Sequence, residues 1–278
     1  MNNSPSLIEK ILTQAYPAVM GILNVTPDSF SDGGQYTNID NALKQVEIMI
    51  AQGAQIIDVG GESTRPGAKD VAVDDELNRV IPIVEAIKAR FDIAISVDTS
   101  KAQVMREAIA LNVDIINDVR ALQEDDCLNA VAKSNVHVCL MHMQGQPRTM
   151  QANPQYTDLI NDIKEFFEAR IKACENQGIE RNKIILDVGF GFGKTLEQNY
   201  KLLANMSAFS TLNLPLLSGT SRKSMIGNLL NRDVTERLAG SLSTALVAAQ
   251  QGAKIIRVHD VQQTVDIINI FKAVTENK

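Results

Sequence analysis

Several groups of residues in this chain have the types and spacings that bind anions. Arg257 and His259 flank Val258, so an extended backbone would turn both side chains to one side. The run Gly219-Thr220-Ser221-Arg222-Lys223-Ser224 leads small residues into an expected helix whose first N–H groups would be free for an anion. An N-cap role for Ser221 competes with a ligand role and is compatible with it. Lys223 in a first helical turn is electrostatically poor and calls for a compensating acceptor. Gly60-Gly61-Glu62-Ser63-Thr64-Arg65-Pro66-Gly67 lets backbone approach a ligand, and Arg65 adds a forked guanidinium suited to phosphate or carboxylate. Asn24 could give a neutral oxygen to a hard cation, and Asp32 a charged one from the loop that follows. Mg²⁺ takes one or two protein ligands and fills its shell with phosphate oxygens and water. Phe30 on that polar loop is suited to cover something when the loop closes. Asp28, beside a proline, reads as turn chemistry.

Other patterns are absent or point to structure. There is no HExxH, no Cys/His cluster, no GxSxG and no GxxxxGK[ST]. Gly189, Gly191 and Gly193 spell GxGxG, a loop shaped by Asp187 and Phe192 rather than a dinucleotide fingerprint. His137 opens an apolar run and reads as structural, while His142 stays open.

Eight short apolar runs must position these groups: Val19–Leu23, Gln55–Val59, Ile93–Val97, Asp114–Ile116, Val136–Met141, Lys183–Val188, Leu214–Leu217 and Lys254–Val258. Apolar character without alternation marks strands covered on both faces. Between them lie helical stripes such as Ile39, Ala42, Leu43, Val46, Met49 and Ile50. Another is Leu77, Val80, Ile81, Val84 and Ile87, in which Pro82 predicts a kink. A long helix from Leu159 through Cys174 should close at Gly178. Eight βα units in series predict a (β/α)₈ barrel, one domain over 1–278, with a doubly wound open sheet as the alternative. Active sites of such barrels lie at the C-terminal strand ends. Here those ends carry Asn24, Asp58 with Glu62, Asp98, Asn117, Met141 with His142, Asp187, Ser218 to Lys223, and Arg257 with His259. So many acids and amides around one mouth need a polar ligand to satisfy them.

Composition narrows the field. The chain has 278 residues, 27 Lys+Arg against 33 Asp+Glu, net charge −6 and 4% aromatics without Trp, which argues against nucleic-acid binding. No apolar run approaches a bilayer span, and MNNSPSLIEK lacks the features of a secretory signal. With Cys127, Cys139 and Cys174 fitting neither a disulfide framework nor a CxxC pair, a cytoplasmic protein with reduced thiols is expected.

The motifs MGILNVTPDSFSDGG, GAQIIDVGGESTRPGA, SVDTSK, INDV, LMHMQGQPRTMQ, LDVGFGFGKT, GTSRKS and IRVHD occur in order, from the Asn24 region to Asp260. In this the chain resembles the dihydropteroate synthase family of pterin-binding enzymes over essentially its whole length. The resemblance implies condensation of 6-hydroxymethyl-7,8-dihydropterin pyrophosphate with 4-aminobenzoate, sulfonamide inhibition and a homodimer. It implies that Asp98, Asn117 and Asp187 bond the pterin, and that Met141 and Lys223 flank it. It further implies that Asn24, Arg65, Arg257 and His259 hold the diphosphate, with Asn24 and Asp32 on Mg²⁺. Phe30, Thr64, Pro66 and Ser221 would form the aminobenzoate pocket, its carboxylate near a helix starting at Ser221. Asp98, Lys223 and Arg257 are the expected catalytic residues. Two rivals are a Schiff-base aldolase with Lys223 as nucleophile, disfavoured by the position of Lys223 at a helix start, and an inactive pterin-binding scaffold.

Overall fold

Each apolar run becomes one parallel strand in the computed structural model, which describes residues 5–25, 35–63, 70–145 and 154–277. The strands are β1 Ala18–Asn24, β2 Ile56–Gly60, β3 Ala94–Asp98, β4 Ile115–Asp118, β5 His137–Met141, β6 Ile184–Asp187, β7 Leu216–Ser218 and β8 Ile255–Val258. Among the described residues the helices are α1 Leu7–Leu12, α2 Gln35–Ala51, α3 Val73–Arg90, α4 Ala102–Ala110, α5 Cys127–Val131, α6 Leu159–Asn176, α7 Leu196–Ala204, α8 Ser224–Leu230, α9 Leu238–Gln250 and α10 Val261–Glu276. The strands pair in chain order and close into a barrel, with Met20 beside Arg257 and Gly21 beside Val258. That β1–β8 pairing decides for the (β/α)₈ barrel over the open sheet. Among the described residues no helix is long and apolar enough to cross a membrane.

The strands read as continuous apolar runs because each buries both faces. Their outward residues (Ile57, Val59, Ile95, Val97, Ile116, Leu140, Leu186) pack against the helices in one large core. Their inward residues (Ala18, Met20, Ile56, Ala94, Ile115, Cys139, Ile185, Leu217, Ile255) fill the barrel floor, which Ile8 and Ile11 of α1 plug from below. A capping box of Ser6 and Glu9 starts that short helix, and Glu9 also accepts from Lys183 at 2.8 Å. All three cysteines are free and buried.

Two helical expectations concern Gly178 and Pro82. Gly178 follows α6 with φ +88°, the residue expected to end it. Pro82, expected to kink its helix, sits inside α3 without ending it. The missing hydrogen bond and ring clash cost about 3 kcal/mol, whereas burying Val80, Ile83, Val84 and Ile87 contributes roughly 1.5–3 kcal/mol each.

Candidate active site

Two residues above the floor, the inward side chains turn polar. Inward positions alternate along each strand, so the layer above Ile56, Ala94, Ile115, Ile185 and Ile255 holds Asp58, Ser96, Asn117, Asp187 and Arg257. Arg257 links this layer to the end of β3. Its Nε donates to Asp58 Oδ2 at 2.6 Å and its Nη2 to Asp98 Oδ2 at 2.9 Å. Asn117 Nδ2 stands 3.4 Å from the same Asp58 oxygen. Asp98 ends β3 opposite Asn117 and beside Gly60. Burial pushes its carboxyl up, Arg257 opposes that, and the neighbouring Asp58 adds to it. One guanidinium thus serves two carboxylates. The Arg257 ion pairs outweigh its desolvation and hold it charged.

On the opposite side, Asp187 ends β6 next to Met141 and accepts the Gly189 N–H at 2.8 Å. Burial raises its carboxyl, with Lys223 the leading opposing charge. Lys223 Nζ donates to the Phe190 carbonyl at 2.5 Å and sits 4.8 Å from the Phe192 ring centroid. Burial brings its ammonium down to about 8 despite Asp187. Val119, Met141 and Phe192, with Met143 against them, form a small apolar cluster separate from both main cores. The mouth therefore has a charged wall and an apolar wall, the mixed lining of a small-molecule site.

The turn before α8 is built to send Lys223 inward. Arg222 has φ +57°, its N–H bonds Ser241 Oγ at 2.9 Å, and its guanidinium forks onto Asp260 at 3.0 and 2.5 Å. That clamp ties the end of β7 to the end of β8. It also corrects an expectation: the helix begins at Ser224, Lys223 occupies the cap without a side-chain capping bond, and Ser221 is no N-cap. The left-handed backbone at Arg222, held by its distant partners Ser241 and Asp260, keeps the helix from reaching back to Ser221. Ser221 Oγ instead meets His259, 3.0 Å from Nδ1 and 3.2 Å from its backbone N. The acceptor that Lys223 was expected to need is Phe190 O.

The Gly-rich stretch after β6 is a loop, as expected. Gly189, Gly191 and Gly193 all have positive φ, at 69°, 80° and 63°. At Gly189 a Cβ would stand 1.9 Å from the His142 carbonyl oxygen, whereas at Gly191 it would meet only Lys223 Cδ at 3.4 Å. Gly189→Ala should therefore destabilise the protein by about 3 kcal/mol or more, and Gly191→Ala by only about 1–2 kcal/mol. Urea unfolding midpoints test the contrast, and equal losses would mean the loop does not pack on His142 as described.

Of the residues expected in the site, Asp98, Asn117, Met141, Asp187, Lys223 and Arg257 converge on this mouth. Asn24 closes β1 with its side chain exposed at the rim, level with Gly60. Ser221 and His259 pair with each other beyond β7 and β8. Phe30, Asp32, Thr64, Arg65 and Pro66 lie outside the described residues. The sequence marks Asp58 only as a strand end, yet the residue is fully buried and shares Arg257. Nor does the sequence single out Asp260 or Lys194. A lysine next to a glycine triplet is too common a pattern to attract notice, and the 38 residues between Arg222 and Asp260 hide their pairing.

A closed barrel with charged and apolar walls at its C-terminal mouth has the layout of the barrel enzymes, whose active sites lie at that end. Residues 20–259 match the family model described as pterin binding enzyme. The chain is 55% identical over 267 residues to the dihydropteroate synthase of Escherichia coli (strain K12), covering 96% of this chain and 95% of that one. It superposes with TM-score 0.91 and 52% identity on the Yersinia pestis dihydropteroate synthase in a sulfonamide drug complex, covering 99% and 98% of the two chains. The Xanthomonas albilineans dihydropteroate synthase with 4-aminobenzoic acid is 45% identical, with TM-score 0.88 and 94% of each chain covered. This chain belongs to the pterin-binding enzyme family, within its dihydropteroate synthase group. It is accordingly an enzyme, a transferase of the pterinylmethyl group.

Proposed function

We propose that this enzyme joins 6-hydroxymethyl-7,8-dihydropterin pyrophosphate to 4-aminobenzoate, giving 7,8-dihydropteroate and pyrophosphate by dissociative displacement. The observation that carries this reading is the Asp58–Arg257–Asp98 group facing Asp187 and Lys223 across one mouth. The carboxylate of Asp187 suits the paired N–H donors of the pterin's aminopyrimidine edge. Asn117 adds a bond beside it, and Lys223 donates to the ring carbonyl. Met141 covers one ring face.

Catalysis then follows from charge. The carbon–oxygen bond between the exocyclic methylene and the diphosphate breaks first, its electron pair leaving with the diphosphate. Asp98, beneath the ring, offsets the positive charge left on the pterinylmethyl carbon, while Arg257, Arg65 and His259 stabilise the departing anion. The neutral arylamine nitrogen attacks that carbon, forms the carbon–nitrogen bond and releases a proton. An anilinium is acidic enough to need no strong general base. Phe30, Thr64, Pro66 and Ser221 form the aminobenzoate pocket, where sulfonamides compete.

Asn24 fits a divalent cation that arrives with the diphosphate. It offers one exposed amide oxygen at the rim, and among the described residues no three His, Cys, Asp or Glu gather to hold a metal by themselves. Mg²⁺ held by Asn24, with Asp32 contributing from the first loop, would supply counter-charge to the leaving oxygens. We further propose a cytoplasmic homodimer. Leu229, Leu230, Val234 and Leu238 around α8 and α9, with Ile270 and Val274 on α10, are exposed and apolar, which supports cover by a second copy.

Purified protein supplied with Mg²⁺ and both substrates should release pyrophosphate in step with dihydropteroate. Release without aminobenzoate at the same rate, or none at any concentration, would refute the reading.

A further inference from the structure

Lys194 is almost fully buried behind the mouth and has no part in the pterin contacts proposed above. Its Nζ donates to Gly189 O at 2.9 Å and Phe192 O at 3.0 Å, and lies 3.0 Å from His142 Nδ1. Its three ammonium donors thus share these three close acceptors and a longer fourth, the His142 carbonyl at 3.4 Å. His142 belongs to the segment leaving β5: its backbone N–H bonds Asp187 O at 2.9 Å, and its ring stands edge-on to Phe166 at 4.9 Å. Lys194 therefore cross-links the loop after β6 to the end of β5. The same loop gives Lys223 both of its supports, the Phe190 carbonyl and the Phe192 ring.

We infer that Lys194 is a positioning residue: by gripping Gly189, Phe192 and His142 from behind, it sets the place of Lys223 and of the apolar wall, and through them the affinity for the pterin. The inference rests on the pterin-pocket reading above. Its charge is costly where it stands, since burial brings the ammonium down to about 7, with Asp187 opposing and Lys223 adding to the fall. An apolar side chain would fill the space more cheaply, so the geometry of the loop is what the lysine contributes.

Calorimetric titration of 6-hydroxymethyl-7,8-dihydropterin pyrophosphate with Mg²⁺ into wild type, Lys194→Met, His142→Leu and His142→Asn tests this, alongside KM values for both substrates. Lys194→Met and His142→Leu should weaken pterin binding about tenfold or more, with KM for 4-aminobenzoate changed less than about twofold. His142→Asn, whose Oδ1 can stand where Nδ1 accepts, should restore binding to within about threefold of wild type. Unchanged pterin affinity in Lys194→Met, or both KM values rising in equal proportion, would overturn the inference. So would His142→Asn behaving like His142→Leu, a comparison that still decides if Lys194→Met fails to fold. A wild-type protein that binds no pterin would overturn the proposed function and this inference with it; the variant outcomes overturn the inference alone.

Discussion

Arg257→Met is expected to abolish turnover and to destabilise the protein at the same time. The guanidinium bonds Asp58, which is fully buried, and Asp98 together, so its removal strands two carboxylates inside the barrel. Breaking a buried pair from one side costs about 3–5 kcal/mol. Asp98, already pushed up by burial, would relieve part of that strain by taking a proton. The loss of counter-charge at the leaving diphosphate should lower kcat/KM by about 10³-fold or more. Urea unfolding and steady-state kinetics measure the two effects separately. The double variant Asp58→Asn/Arg257→Met should recover much of the stability and none of the turnover. A single variant that unfolds at the wild-type urea concentration would mean the carboxylates do not depend on Arg257.

Lys223→Ala should behave in the opposite way, losing turnover without losing stability. The ammonium is buried and brought down to about 8 from the usual 10.5, so at pH 7 keeping it charged is a cost to the folded state. Its removal should leave the unfolding free energy at pH 7 unchanged or slightly higher, while kcat/KM falls about 10²-fold or more through the lost bond to the pterin carbonyl. The pH dependence gives a second signature. Between about 8 and 10.5 the unfolded chain still binds a proton here that the folded chain has released, so stability rises with pH through this window. The useful form for binding is the protonated one, so wild-type kcat/KM should fall as pH passes about 8. Rate and stability therefore move in opposite directions over one pH interval, and Lys223→Ala should remove this residue's share of the rise in stability. A wild-type rate flat to pH 10 would sink the role given to Lys223.

These expectations draw on different levels of the molecule. That Asp98 and Asn117 follow their apolar runs, that Asp187 and Arg257 each precede the last residue of theirs, and that Lys223 lies in the loop beyond the seventh run all follow from local pattern. Lys223's need for an acceptor was also legible, from its charge at a helix start. The identity of that acceptor was not, because Phe190 reaches Lys223 only through the conformation of the loop after β6. The N-cap expected at Ser221 failed for a related reason. Arg222 is held in a left-handed conformation by contacts with Ser241 and Asp260, and local propensity carries no information about those partners.

By itself, the amino-acid sequence determined the succession of eight βα units, the both-faced burial of their strands and the polar character of their C-terminal ends, because period and composition act within a few residues. Tertiary structure alone decided which of those ends interact. Arg257 meets Asp58 and Asp98 across 199 and 159 residues, and only closure of β8 onto β1 brings their inward-facing positions to one height in the barrel. Strand tilt and stagger set that height, and both are properties of the closed sheet rather than of any strand within it.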